Sequence, residues 1–267
     1  MKLKPASSKR SLRLDDKDAR VDDGAVKSGD ALEKATKKQI DRISNLQRVL
    51  YADARYAVLI VLQGRDASGK DGTIRRVFTA VNPQGCSVAS FKAPTELEQR
   101  HDYLWRVHAL VPPRGMIGIF NRSHYEDILV PRVHGSIGKK EWTARYDQIN
   151  DFERMLSGQG VVILKFFLHI SRDEQKERLR SRLADADKNW KFRAADLEDR
   201  KKWDAFTKAY RGILDHTSKR WAPWFVVPAD DKDVRDWLVS RSIADALAKL
   251  KLRYPPGDPS VIGLEIE

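Results

Sequence analysis

Residues 57–77 read AVLIVLQGRDASGKDGTIRRV, and their order of elements decides the fold. The opening AVLIVLQ is an unbroken apolar run of strand length ending at Gly64, the pattern of a parallel strand buried on both faces. The next residues fit the phosphate-loop pattern G-x-x-x-x-G-K-[ST] at Gly64, Gly69 and Lys70. TIRRVFTAV then continues as a helix until Asn82-Pro83 stops it. Strand, glycine loop and helix together give the match its meaning. Successive backbone N–H groups in such a loop form a concave anion site at the positive end of the helix. Gly64, Ala67, Ser68, Gly69, Lys70, Asp71 and Gly72 are therefore expected to cradle phosphate. The competing reading is an ordinary turn with a surface lysine.

Two residues break the pattern. Asp71 stands where a Ser or Thr hydroxyl normally holds Mg²⁺, and Asp66 puts a carboxylate inside the loop. A carboxylate among phosphate donors is tolerable if Mg²⁺ lies between the anions, or if it orients an incoming acceptor phosphate. Asp71 has a second role available, since Asp is favourable in the first turn of a helix. The functional weight falls on Asp66.

Outward from this loop, strands and helices alternate. CSVASF, MIGIF, VVILKFFLHIS and WFVVP read as four more strands, separated by helical patterns at 95–111, 139–157 and 172–183, with a Trp-rich helical insert near 185–219. A further helix precedes the first strand from Ala31, and DVRDWLVSRSIADALAKL ends the core. This alternation predicts an α/β domain with a doubly wound, parallel five-stranded sheet. Residues 1–29 mix charge with Ser, Gly and Asp and are expected to form a flexible or loosely draped basic arm, with 30–267 as a single domain.

Composition narrows the partners. The 267 residues are 41% hydrophobic and 33% charged, a globular mixture, and the lone Cys86 excludes an intramolecular disulfide and suits a reducing cytosol. The N-terminus lacks the apolar run of a signal peptide, and no stretch approaches the ~20 apolar residues of a membrane span. A cytoplasmic protein without a membrane partner is expected. The 50 Lys and Arg against 38 Asp and Glu give +12, which points to nucleic acid, anionic lipid or a phosphate-rich substrate, or to a basic solvated face.

Two further stretches carry chemistry. FNRSHYEDILVPRVHG, residues 120–135, follows the third strand, where ligands of parallel sheets sit. Arg122 is placed to neutralise a transferring group, and Glu126 or Asp127 to hold metal or acceptor; Asn121 occupies the position of the usual metal-binding Asp. For Asp127 and Arg132 a salt-bridged helix start is an equal reading, and His124 is either a packing residue or an acid. Residues 178–193 carry six Lys or Arg against two Asp. Arg178 and Arg182 share a helix face, and Lys188, Lys191 and Arg193 follow in a loop, as in a lid that closes cations over phosphates. A solvated charged helix is the alternative. Trp190, Trp203 and Phe206 read as the lid's own small core.

GRDASGKDG, FKAPT with HDYLWRVH, FNRSHYEDILVPRVHG, EQKERLRSRL, DKNWKF with DLEDRKKWDAF, and PWFVVPAD together resemble the polyphosphate kinase 2 family over roughly residues 30–255. The resemblance implies a P-loop kinase-like, three-layer αβα domain with a helical lid at about 178–219. It also implies dependence on Mg²⁺, with Mn²⁺ as a substitute, and phosphoryl transfer between inorganic polyphosphate and adenine or guanine nucleotides. Carried over by position, Asp66, Lys70, Arg122, Glu126, Arg178 and Arg182 become catalytic, with Asp66 and Glu126 as metal carboxylates. Asn121 with Glu126 resembles the subgroup called class III, which accepts nucleoside monophosphates as well as diphosphates. Lys70, Arg75, Arg76, Lys92, Arg122, Arg132 and Lys188 then read as a phosphate channel. A dimer or tetramer is implied, with the apolar C-terminal helix as one interface and no nucleic-acid partner. The rivals are an ATP-dependent nucleotide or small-molecule kinase, and a non-catalytic nucleic-acid-binding protein, for which no recognisable motif is present.

Overall fold

All seven residues of β1 (Ala57–Gln63) are buried, as an apolar strand covered on both faces requires. A computed structural model describes residues 1–7, 12–192, 194–261 and 263, and in it β1 is the middle strand of a five-stranded sheet. It pairs in parallel with β3 (Ile117–Asn121) on one side and β4 (Val161–His169) on the other, and β2 (Cys86–Ser90) and β5 (Trp224–Pro228) complete the order β2-β3-β1-β4-β5. The strand order reverses at β1, so the crevice beyond the C-terminal ends of β1 and β3 is the topological place for a ligand. Leu62 pairs with Asn121, so β1 and β3 end level and their following loops leave the same edge.

Alternate residues of β1 enter two cores. Leu59 and Val61 pack with α5 (Glu126–His134), α6 (Lys139–Gly158) and α9 (Trp203–Thr217). Val58, Ile60 and Leu62 pack with α1 (Gly29–Asp53), α2 (Lys70–Val77) and α10 (Lys232–Lys249). Each fully buried aliphatic side chain contributes roughly 1.5–3 kcal/mol. The result is the three-layer αβα arrangement.

The structure departs from the sequence reading in four places. Residues 95–111 form two short helices, α3 (Glu96–Gln99) and α4 (Trp105–His108), because Asp102 Oδ1 accepts from Leu104 N at 3.0 Å and breaks the run with a local turn. The insert after α7 (Arg172–Ala184) contains α8 (Ala194–Lys201), but Phe206 of α9 belongs to the main core rather than to a separate lid core, while Trp203 is buried against Arg65. Trp190 is 73% exposed and joins neither. The described part of the arm expected to be flexible or loosely draped is packed onto the domain: Leu3, Leu14 and Ala19 are buried, and Ala6 N donates to Trp224 O at 2.7 Å, covering the open edge of β5. Finally, the apolar face of α10, expected as a subunit interface, is spent against α1 and the sheet. Among the described residues no helix is long and apolar enough to cross a membrane.

Candidate active site

The loop between β1 and α2 is built on close approach. A Cβ at Gly64 would lie 2.6 Å from Ser68 Oγ and 2.7 Å from Leu168 O. Gly69 has φ +99°, and a Cβ there would sit 2.1 Å from Arg235 Nη1. Ala67, with φ +60°, holds the left-handed conformation without being glycine, a strain that concentrates at functional loops. The Lys70 ammonium bends back over the loop and donates to Gly64 O at 2.8 Å and Arg65 O at 3.1 Å. Burial, and then the charge of Arg122, press its pKa down to about 8, while Asp66, Glu126 and Asp71 pull the other way.

Gly69→Ala is expected to lower the melting temperature by roughly 4–8 °C. The left-handed backbone costs a side chain about 1–2 kcal/mol, and the buried guanidinium behind the loop must also move. A melting curve checks this; one that overlays that of the wild type would mean the loop relaxes freely around the added methyl group.

Asp71 and Asn121, which replace the hydroxyl and the carboxylate of an ordinary P-loop metal site, face one another. Asn121 Nδ2 donates to Asp71 Oδ1 at 2.8 Å. An ordinary P-loop holds its metal between a hydroxyl after the lysine and an Asp from a neighbouring strand. Here the carboxylate has moved to the loop and the neutral group to the strand. Sequence reasoning treated these two positions separately, because only the β1–β3 register brings them together.

The charges of Asp66 and Glu126 both act on the Lys70 ammonium. Asp66 Oδ2 accepts from Arg182 Nη1 at 2.7 Å, which ties the loop to α7. Arg122 Nη1 lies 3.6 Å from Glu126 Oε2, and Arg122 itself has φ +63°, with its N–H donating to Leu62 O at 3.0 Å. Gln63 satisfies both its neighbours when its Nε2 donates to Glu126 Oε1 at 2.9 Å and its oxygen accepts from Ser123 N at 3.1 Å. Asp66, Lys70, Asp71, Asn121, Arg122, Glu126 and Arg182 thus gather at one edge of the sheet. Among the described residues no group of three or more His, Cys, Asp or Glu is disposed to hold a metal. The hard oxygen donors Asp66 and Glu126 still fit Mg²⁺, which takes one or two carboxylates and completes its shell with water and substrate phosphates.

Other expected residues are engaged elsewhere. Arg178 donates to Ala67 O at 3.1 Å and to Ala229 O and Asp230 O at 2.7 Å each, and pairs with Glu174 at 2.7 Å. It staples the loop to the turn after β5, so its guanidinium faces backbone carbonyls. Arg132 donates to Tyr146 Oη at 2.7 Å and lies 4.1 Å from the Trp142 ring, which spends it on α5–α6 packing. Lys188 pairs with Asp185 in an exposed turn, and Lys92 is exposed after β2. Arg75 and Arg76 are exposed on α2, Arg76 lying 3.3 Å from Glu33. Asp127 is held by Arg106 at 3.3 Å, and His124 is wholly buried with its Nε2 3.3 Å from Glu153 Oε1. Arg193 and the Lys191 side chain fall outside the described residues.

Sequence reasoning also missed two arginines. Arg65 is buried 3.7 Å over the Trp203 ring and donates to Trp203 O at 2.9 Å, with burial pressing its pKa to about 10; it ties the loop to α9. Arg235 lies behind Gly69 and donates to Asp236 Oδ1 at 2.8 Å, an oxygen that also accepts from Thr73 Oγ1 at 2.9 Å. Neither had a local signal, since a charged residue in a loop or on a helix reads as solvated.

The family model described as Polyphosphate kinase 2 matches residues 26–255. The chain is 51% identical over 226 residues to an AMP/ADP-polyphosphate phosphotransferase of Meiothermus ruber, covering 85% of each chain. It is 47% identical over 234 residues to an ADP-polyphosphate phosphotransferase of Rhodopseudomonas palustris, covering 83% of this chain and 81% of that one. The crystal structure of polyphosphate kinase 2 from Arthrobacter aurescens superposes with a TM-score of 0.87 at 39% identity, covering 96% of this chain and 95% of that one. With a family match spanning residues 26–255 and a relative 51% identical over 85% of its length, this chain belongs to the polyphosphate kinase 2 family.

Proposed function

We propose that the protein transfers the terminal phosphoryl group of inorganic polyphosphate directly to the terminal phosphate of AMP or ADP. An acceptor phosphate oxygen attacks the terminal phosphorus, the bridging P–O bond breaks, and the shortened polyphosphate leaves with the bond's electron pair. GMP and GDP are proposed as further acceptors. The observation that carries the reading is the P-loop lysine Lys70 bent over its own loop, with Asp66 of that loop tied to Arg182 and Arg122 lying 3.6 Å from Glu126 at the end of the neighbouring strand. Phosphoryl transfer of this loose kind needs positioning and charge neutralisation more than covalent chemistry. Lys70 and Arg122 neutralise the transferring group, and Arg182 orients Asp66 toward the acceptor. Arg178 acts one step back, by holding the loop. Asp66 and Glu126 would hold Mg²⁺, which when bound would supply charge to offset repulsion between donor and acceptor phosphates. The excess of cations suits a polyanion whose binding weakens with salt through counterion release, by analogy with nucleic-acid backbones. A reducing cytosol and a homo-oligomer of two or four chains complete the proposal.

The test is incubation with Mg²⁺, long-chain polyphosphate and AMP, followed by chromatography. ADP and then ATP are expected, and more slowly at high salt. Product formation from ATP and an acceptor, unchanged by polyphosphate, would instead favour an ATP-dependent kinase.

A further inference from the structure

A fully buried polar network lies beneath the turn that carries Arg122 and Glu126. Lys165, in the middle of β4, has no exposed surface and donates to Glu153 Oε2 at 2.5 Å, Tyr125 Oη at 2.7 Å and Thr217 O at 2.8 Å. Tyr125 Oη donates in turn to Glu153 Oε1 at 2.8 Å, and His124 Nε2 lies 3.3 Å from the same oxygen. Thr217 is pinned by Trp224 Nε1, which donates to its Oγ1 at 2.9 Å. One network therefore joins the β3–α5 turn, α6, β4, the end of α9 and β5.

Such a pair is a poor way to stabilise a core. Withdrawing two ions from water costs several kcal/mol each, and apolar residues of similar volume often serve as well or better. Burial works against both charges here: it presses Lys165 down to about 8, while Lys165 beside it holds Glu153 below the usual carboxylate range. The surrounding core already has Tyr146, Phe167 and Trp224. The turn above needs an anchor more than the core needs a charge. Arg122 sits in the left-handed region, and Tyr125, at the N-cap of α5, supplies no side-chain cap. The Tyr125 hydroxyl reaches downward instead, one residue from Glu126 and three from Arg122.

We propose that Tyr125, Glu153 and Lys165 are positioning residues of the phosphoryl-transfer site, fixing the 121–126 turn so that Arg122 and Glu126 face the P-loop. The inference rests on the reaction proposed above for what those two residues do, and on the network alone for how they are held.

Two variants test it. Tyr125→Phe removes only the hydroxyl and keeps the ring contact with Trp224, 4.9 Å away. Lys165→Met combined with Glu153→Gln removes both charges and leaves an amide to receive Tyr125 and His124. Amide hydrogen exchange across residues 122–128 is expected to accelerate about tenfold or more in both variants, with β1 and β4 unchanged. With polyphosphate and AMP, kcat is expected to fall roughly 10–100-fold while KM for polyphosphate stays within about twofold, the pattern for loss of outer-shell support. Unchanged exchange across 122–128, or a lowered melting temperature with kcat intact, would overturn the inference. A wild-type protein that transfers nothing from polyphosphate would remove the proposed reaction instead, and the exchange data would still decide whether the network holds the turn.

Discussion

Asp66→Asn is expected to lower kcat by about two to three orders of magnitude and to leave the fold intact. The substitution isolates charge from shape. Asn keeps a carbonyl oxygen for Arg182 Nη1, which lies 2.7 Å from Asp66 Oδ2, so the tie between loop and α7 survives. The backbone carbonyl of residue 66 still accepts from Gln175 Nε2 at 3.0 Å. What disappears is the negative charge beside Lys70, and with it one carboxylate proposed for Mg²⁺. An effect on kcat with an unaltered melting curve is the signature of a group that acts on the reacting phosphates. Steady-state kinetics beside thermal melting makes the comparison, and a kcat within about threefold of wild type would remove Asp66 from the chemistry.

Lys70→Met is expected to cost a similar factor, about 10²–10³ in kcat, by removing the point charge that follows the moving phosphoryl group. Its pH dependence gives a second, independent check. Burial presses Lys70 down to about 8 in the free protein, so kcat/KM is expected to fall as pH rises through about 8 and the ammonium is lost. Stability moves the other way. Between about 8 and the ordinary lysine value of 10.5 the unfolded chain binds a proton that the folded chain has released, so this residue's contribution to stability rises with pH across that window. Lys165 is pressed down to about 8 as well, so the difference between wild type and Lys70→Met isolates the share belonging to Lys70. A flat kcat/KM profile from pH 7 to 9 would show that the Lys70 charge is not required.

Much of this was legible in the sequence, for physical reasons that differ by element. The five strands and their parallel arrangement followed from apolar runs such as AVLIVLQ, whose burial on both faces leaves no other explanation. Gly64, Gly69 and Lys70 followed from the spacing that a backbone anion site demands. What escaped depended on register between distant segments. The hydrogen bond from Asn121 to Asp71 exists because Leu62 pairs with Asn121, a fact contained in neither segment. Arg178 and Arg182 lie on one helix face, but only the structure shows that one meets the Ala67 carbonyl and the other the Asp66 carboxylate. Arg132 read as a phosphate ligand because a cation near a site attracts that reading, yet the Trp142 ring and Tyr146 hydroxyl claim it first. Lys165 gave a signal that went unread: a lysine inside VVILKFFLHIS has no water to reach and must find a buried partner, which is Glu153.

We propose that a phosphoryl group passes from polyphosphate to the nucleotide in one step at this loop. The most direct measurement uses terminally ³²P-labelled polyphosphate with unlabelled AMP and Mg²⁺, quenched within a single turnover. Label is expected in the β-phosphate of ADP, none on the protein at any time, and none in ADP when Asp66→Asn replaces the wild type over the same interval. Label trapped covalently on the protein, or ADP formed without label, would contradict it.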